Sequence, residues 1–250
     1  MPEGRLIPHH DQAIVLRTWP FHEADLLVSL FTRERGKVKG VARHAMKSRR
    51  RFGGALEPAT QVFAHYTERP REDLVRMDSF EIVWSPLTAP IDALRAAGLQ
   101  LVVEVLEEAM PELAAEDNVF RLAVAVLRAM DSPDAVHVAV TYFCLWMARL
   151  MGWWPELAHC TACGLDLREH DVFWSPSADG VTCADDRRPN SRRLSAAAVA
   201  ESYRISRASL EQIFAQVTHG RELFHDLGAL GIAVLERHLE RRLRSAAALT

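Results

Sequence analysis

Two groups of residues in this chain have the types and spacing to do chemistry. The first is the run Arg33-Glu34-Arg35-Gly36-Lys37-Val38-Lys39-Gly40-Val41-Ala42-Arg43-His44-Ala45-Met46-Lys47-Ser48-Arg49-Arg50-Arg51-Phe52-Gly53-Gly54, with nine Lys and Arg against one Glu. It carries +8 in a chain whose formal net charge is -3, so the remaining residues sum to -11. Cationic charge gathered in this way repels itself unless phosphates or counterions screen it, which points to a polyanion as partner. A solvated loop is the alternative reading. The candidate phosphate contacts are Arg33, Arg35, Lys37, Lys39, Arg43, Lys47, Arg49, Arg50 and Arg51. Gly36, Gly40, Gly53 and Gly54 would allow the backbone to approach a phosphate chain closely. Of the rings in the same half, Trp19, Phe21, Phe31, Phe52, Phe63 and Tyr66, most are expected in a core. Phe52, surrounded by charge, is the first choice for stacking on a base.

The second group is Cys160-Thr161-Ala162-Cys163 with Cys183 further on. Cys-x-x-Cys suits a metal or a redox pair, and the third cysteine at metal spacing, with no strand expected before the pair, favours the metal. Four cysteines in 250 residues are few for a disulfide scaffold, and Cys144, on an apolar helix, reads as a small buried hydrophobe.

These residues must be positioned by two kinds of structure. From Gln12 to Val83 the apolar pattern has mainly period two, giving strands at Ala13 to Leu16, Asp25 to Thr32, from Gly36, Gln61 to Thr67 and Leu74 to Val83. Five short strands predict a small barrel, of the OB type or an SH3-like one. After Ser85-Pro86-Leu87-Thr88-Ala89-Pro90 the period becomes helical, at Ile91 to Met110 and Val119 to Met130. Ser132-Pro133-Asp134 starts a further helix to about Leu150. Helical spacing returns at Ser206 to Val217 and Arg221 to Leu243. The expectation is therefore a multi-domain α+β chain: a β-barrel over 1–84 and a mainly α-helical domain over 85–250, interrupted by a cysteine module at about 158–189. His9-His10 falls in a polar terminus, and Arg237, Arg241, Arg242 and Arg244 read as a solvated helix end. No signal peptide or membrane span is expected, so the chain is expected in the cytoplasm.

The residues also carry a resemblance. Val15-Leu16-Arg17-Thr18, Glu23-Ala24-Asp25-Leu26-Leu27-Val28, Leu30-Phe31-Thr32-Arg33-Glu34, Gly36-Lys37-Val38, Val41-Ala42 and Phe52-Gly53-Gly54-Ala55-Leu56-Glu57-Pro58 resemble the bacterial recombination mediator family RecO. Cys160-x-x-Cys163-Gly164, Phe173-x-Ser175-Pro176, Gly180 and Cys183 follow that family's cysteine insertion. The resemblance implies an N-terminal OB fold and a helical domain with a zinc-binding, zinc-finger-like module. It further implies binding of single-stranded and duplex DNA, annealing of complementary strands, and help in loading RecA onto strands coated by single-stranded-DNA-binding protein, usually with RecR. A bacterial, nucleoid-associated protein that accepts the acidic, phenylalanine-ended tail of single-stranded-DNA-binding protein is the corresponding picture. Family members with the metal have a second Cys-x-x-Cys, whereas this chain reads Cys183-Ala184-Asp185-Asp186. Asp186 stands at the matching position and is the first choice of fourth zinc ligand, with Asp185, His170 and His159 as substitutes and a metal-free module as the alternative.

An enzyme is not expected. Zinc hydrolysis or deamination needs an open coordination site with a neighbouring base, as in His-Glu-x-x-His or His-x-Glu followed by Pro-Cys-x-x-Cys, and neither motif occurs. There is no Gly-x-x-x-x-Gly-Lys-Ser/Thr loop either, so annealing would be driven by binding and not by nucleotide hydrolysis. An OB-fold RNA-binding protein with a structural zinc module is the alternative function, because charge and stacking serve either sugar unless a 2′-hydroxyl is read.

Overall fold

The computed structural model describes residues 6–48, 50–69, 72–131, 133–216 and 221–249. Arg49, Ser132 and Val217, all named above, lie outside the described residues. The chain divides into two compact units, Met1–Arg128 and Ala129–Thr250.

In the first unit, β1 (Ile7–Pro20), β2 (Leu26–Thr32), β3 (Gly36–Ala42), β4 (Gln61–Glu68) and β5 (Val75–Trp84) close a barrel in the order β1-β2-β3-β5-β4. Every pairing is antiparallel except β3 with β5, which run parallel through Gly40↔Val75 to Ala42↔Met77. This five-stranded circuit is the OB type. One long strand serves two neighbours. The first half of β1 pairs with β4, from Ile7↔Glu68 to Ile14↔Gln61, and its second half with β2. A bulge between Val15 and Arg17 supplies the bend. Inward residues alternate as the pattern predicts: Val15, Val28, Leu30, Val38, Val62, Ala64 and Met77 fill the interior.

The first strand begins earlier than its apolar pattern indicates, at Ile7 and not near Gln12. Of the added residues His9, His10 and Asp11 are polar, and polar partners hold His9 and Asp11. The Asp11 carboxylate, buried, accepts from the Glu34 backbone N–H at 2.8 Å, and the His9 ring stacks on Tyr66 at 5.2 Å. Secondary structure changes after Trp84, as expected, yet the compact unit runs on to Arg128. It takes in α1 (Ala93–Ala109) and α2 (Asp117–Ala129). Asp92 caps α1, accepting from the Arg95 N–H at 2.8 Å, and the buried Arg95 guanidinium donates to the Ala89 and Pro90 carbonyls at 2.7 and 2.9 Å.

The second unit holds α3 (Pro133–Leu150), α4 (Ala196–Ile205), α5 (Leu210–Gln216) and α6 (Arg221–His238). Helices α3 and α6 approach closely where the latter carries Gly228 and Gly231: a Cβ at Gly231 would lie 2.7 Å from that of Cys144. Thr141 Oγ1 donates across this seam to the Phe224 carbonyl at 2.7 Å. Helix α4, capped by Ser195, has no counterpart among the sequence expectations, nor do the short paired strands β6 (Val172–Trp174) and β7 (Arg192–Leu194). Among the described residues no helix is long and apolar enough to cross a membrane.

Candidate nucleic-acid interface and metal centre

The structure separates the basic run into two halves with different fates. The first half lies on and just before β3 and is met by carboxylates of the same unit. Arg33 Nε reaches Asp117 Oδ1 at 2.6 Å, Arg35 Nη1 lies 2.8 Å from Glu68 Oε2, and Lys39 Nζ donates to Glu112 Oε1 at 2.8 Å. Lys37 is buried, and its ammonium donates to the Glu107 carbonyl at 2.6 Å, in the last turn of α1 where the helix dipole favours a cation. Lys37 is therefore corrected from a phosphate contact to a cap on a helix end. Glu107 Oε2 also accepts from Ser29 Oγ at 2.6 Å, and residues 111–113 lie along β3 through Lys37 N–H to Pro111 O and Leu113 N–H to Lys37 O. The bond to Glu112 holds the Lys39 ammonium above its usual pKa, and the same bond pulls the Glu112 carboxyl down.

Gly36 serves this packing, and Gly40 the close pairing of β3 with β5. A Cβ at Gly36 would stand 2.0 Å from the Ala114 carbonyl oxygen, and one at Gly40 would stand 2.4 Å from that of Val75.

The second half of the run leaves the barrel. Beyond Ala42 the chain makes a one-turn 3-10 helix, Ala45–Lys47, and loops back to β4. Arg43, Lys47 and Arg50 are exposed, and none of them makes an ion pair among the described residues. Arg51 instead braces the loop: its Nε donates to Ser48 Oγ at 3.1 Å, its Nη2 to the Arg43 carbonyl, and its guanidinium lies over the Phe52 ring at 5.1 Å. Phe52 is only 2% exposed and packs edge-on against Phe80 at 5.4 Å, so it anchors the loop in the core and presents no face to a base. That corrects the expectation drawn from its charged neighbours.

A second loop, between β1 and β2, joins the first. The Phe21 N–H donates to the Asp25 carbonyl at 3.1 Å, closing that loop, while the Met46 N–H donates to Ala24 O at 3.2 Å and the His44 N–H to Asp25 Oδ1 at 2.7 Å. The two loops form one ledge at one end of the barrel. It carries exposed Arg43, Met46 and Lys47 on one loop and exposed Phe21 on the other, with exposed Arg50 further along the first.

The cysteine module brings its candidate ligands together. Sγ of Cys160, Cys163 and Cys183 and a carboxylate oxygen of Asp186 all lie within 4.8 Å of one another. A tetrahedral zinc ion with ordinary bond lengths would hold its sulfurs about 3.8 Å apart and a sulfur and an oxygen about 3.5 Å apart. The corresponding separations are 3.9 Å for Cys163 to Cys183, 3.4 Å for Cys160 to Asp186 and 3.2 Å for Cys183 to Asp186. The Cys183 backbone N–H, 3.4 Å from Cys160 Sγ, is placed to stabilise a thiolate. The residues thus fit a zinc ion. Accepting from the Cys163, Cys183 and Cys160 thiols holds the Asp186 carboxyl below its usual range, and the Asp186 bond pushes the Cys163 thiol up to about 12. Cys144 is remote in character, fully buried, its thiol pushed up by desolvation.

Comparison with known sequences agrees with this architecture. The model of the family described as Recombination protein O N terminal matches residues 6–86, and that described as Recombination protein O C terminal matches residues 91–247. The DNA repair protein RecO of Koribacter versatilis is 47% identical over 232 residues, covering 93% of this chain and 94% of that protein. The proteins of the same name from Anaeromyxobacter sp. strain K and Geobacter sulfurreducens are 35% and 30% identical, covering 92% and 97% of this chain and 91% and 97% of their own lengths. An OB barrel, a helical unit bearing a cysteine module, and near full-length identity to these proteins lead to one conclusion: the chain belongs to the RecO family.

Proposed function

We propose that this protein is a DNA-binding mediator of recombination and repair. In this reading it binds single- and double-stranded DNA, anneals complementary strands and helps load RecA onto strands coated by single-stranded-DNA-binding protein, with RecR as a further partner. The observation that carries the DNA-binding reading is the set Arg43, Lys47 and Arg50, three exposed cations on one loop that Phe52 and Arg51 anchor to a closed OB barrel. Two strands repel through their phosphates. A loop that neutralises phosphates and makes no demand on base edges lets complementary bases meet, with weak sequence preference. No chemical step is required, and the protein acts by binding and not as an enzyme.

In the second unit, Cys160, Cys163, Cys183 and Asp186 would hold a structural zinc ion. When bound, the ion supplies a cross-link between the two halves of a module otherwise joined by isolated bridges such as Cys160↔Val181 and Phe173↔Thr182. A cleft of about 750 Å³ in the same unit is lined by the buried Trp174 and Ile232, by Arg192, Arg237, Arg241, Arg242 and Arg244 and by Glu236 and Glu240, an excess of cations over carboxylates that suits an acidic tail. Saturable binding of the tail peptide of single-stranded-DNA-binding protein, weakened by Arg242→Glu, is expected there. The proposed site of action is the cytoplasm, on the nucleoid.

The test is annealing of complementary oligonucleotides without nucleotide cofactor. The protein is expected to accelerate it, and Arg43→Ala/Lys47→Ala/Arg50→Ala is expected to return the rate towards the spontaneous one. An unchanged rate in that variant would place the active surface elsewhere, and stronger competition by RNA than by DNA of equal sequence would favour an RNA-binding protein.

A further inference from the structure

The ledge beside the basic loop is continuous with a row of the barrel's outer face that the acidic helix end leaves uncovered. Residues paired across neighbouring strands share a face, and Trp19↔Leu27, Leu27↔Val41 and Val41↔Arg76 set Trp19, Leu27, Val41 and Arg76 in a single row. All four are half-buried. The alternate row, Thr18↔Val28 and Val28↔Gly40, points inward to the core. One step along, Ser29 and Lys39 are held by Glu107 and Glu112, so the covered part of the face begins there. At the uncovered end the Arg17 guanidinium lies 5.0 Å over the Trp19 ring, and past it stand Phe21, 43% exposed, and Met46, 63% exposed. Large apolar side chains thus reach solvent here among four cations, Arg17, Arg43, Lys47 and Arg50, against two carboxylates on the loop between β1 and β2, exposed Glu23 and half-buried Asp25, the latter accepting from the His44 N–H.

From this juxtaposition we infer that Phe21 and Met46, beside the Trp19 ring that Arg17 covers, form a stacking subsite for unpaired bases of a DNA strand whose phosphates the basic loop holds. Charge decides between occupants: a protein helix would need carboxylates to answer four cations, whereas a single strand brings a phosphate with every base and turns its rings to the apolar surface. A duplex keeps its bases stacked within itself and would use the cations alone. The subsite therefore gives the protein a preference for single strands that phosphate contacts cannot supply. This inference rests on the proposed DNA-binding role of the loop and adds the base contact to it.

The test compares dissociation constants for single-stranded and duplex DNA of equal length, each across a salt series, in the full-length protein. Phe21→Ala/Met46→Ala is expected to weaken single-strand binding about tenfold, and duplex binding by much less, because base stacking on these side chains disappears while the phosphates stay held. Phe21→Tyr, which keeps a ring, is expected to restore the ratio, and wild-type protein is expected to bind an abasic strand as weakly as the double variant binds a normal one. Equal weakening on both forms of DNA, no weakening, or tight binding of the abasic strand would overturn the stacking subsite. If Arg43→Ala/Lys47→Ala/Arg50→Ala leaves the salt slope unchanged, the loop reading itself fails; if that slope falls while the single-strand preference survives Phe21→Ala/Met46→Ala, the stacking subsite alone fails.

Discussion

At the scale of single residues, Phe52 and Arg50 show how neighbours in sequence can face opposite ways. Phe52 is core, and its truncation to alanine is expected to cost about 3–5 kcal/mol by removing a buried ring and leaving a cavity against Phe80. Arg50→Ala touches nothing buried and is expected to change stability by less than about 0.5 kcal/mol while lowering the salt slope of DNA binding. Chemical denaturation and binding measurements on the two variants separate an anchor from a phosphate ligand. The basic run was legible as a charge anomaly. Which of its residues were free was not, because Lys37 and Lys39 find their partners some seventy residues away at Glu107 and Glu112. Asp186 was legible by position beside Cys183, and the geometry brings it to the thiols. Zinc requires thiolates, so its affinity is expected to fall as pH falls, and Asp186→Ala to weaken it, as a chelator competition followed by metal analysis would show. Thermal stability unchanged by zinc addition, in protein freed of metal, would argue against the centre.

At the scale of elements, β3 is held by what lies against its edge. Gly36 has φ of +68° and no space for a side chain against Ala114, so Gly36→Ala is expected to destabilise the first unit by at least about 1 kcal/mol, as a lowered denaturation midpoint. The pair Lys39 to Glu112 adds a pH-dependent part. The Glu112 pKa is depressed in the fold, so its contribution is present above the unfolded carboxyl value and is lost as pH falls through the folded one. The Lys39 pKa is raised, so its contribution is present below the unfolded ammonium value and is lost as pH rises through the folded one. The pair therefore stabilises between the acid and alkaline limits, by less than about 1 kcal/mol because both groups are partly exposed. Glu112→Gln is expected to lower Tm at neutral pH, with the difference vanishing in strong acid; a difference that persisted there would mean that the charge was not its source. The five barrel strands, and α1, α2, α3, α5 and α6, were legible from period and end signals. The start of β1 was not, since His9 and Asp11 break the apolar alternation and are satisfied by polar partners from distant segments. Helix α4 was hidden because its alanine-rich stretch has too few large apolar residues to mark a face.

At the scale of the molecule, a chain of net charge -3 is proposed to bind a polyanion through a patch that opposes its overall sign. The long-range field then steers DNA weakly, and binding depends on cations placed at short range on one ledge, which makes affinity sensitive to salt. The family was legible because its motifs are distributed along both units, from Val15 through Cys183. The central claim is that the loop from Arg43 to Arg50 neutralises the DNA phosphates. It is tested most directly by measuring affinity for a labelled single-stranded oligonucleotide across a salt series, in wild-type protein and in Arg43→Ala/Lys47→Ala/Arg50→Ala. Log affinity of the wild type is expected to fall linearly with log salt, and the variant's slope to be shallower by about 2, at roughly 0.7 for each phosphate no longer neutralised. Parallel lines, or no binding by the wild type even at low salt, would contradict the account.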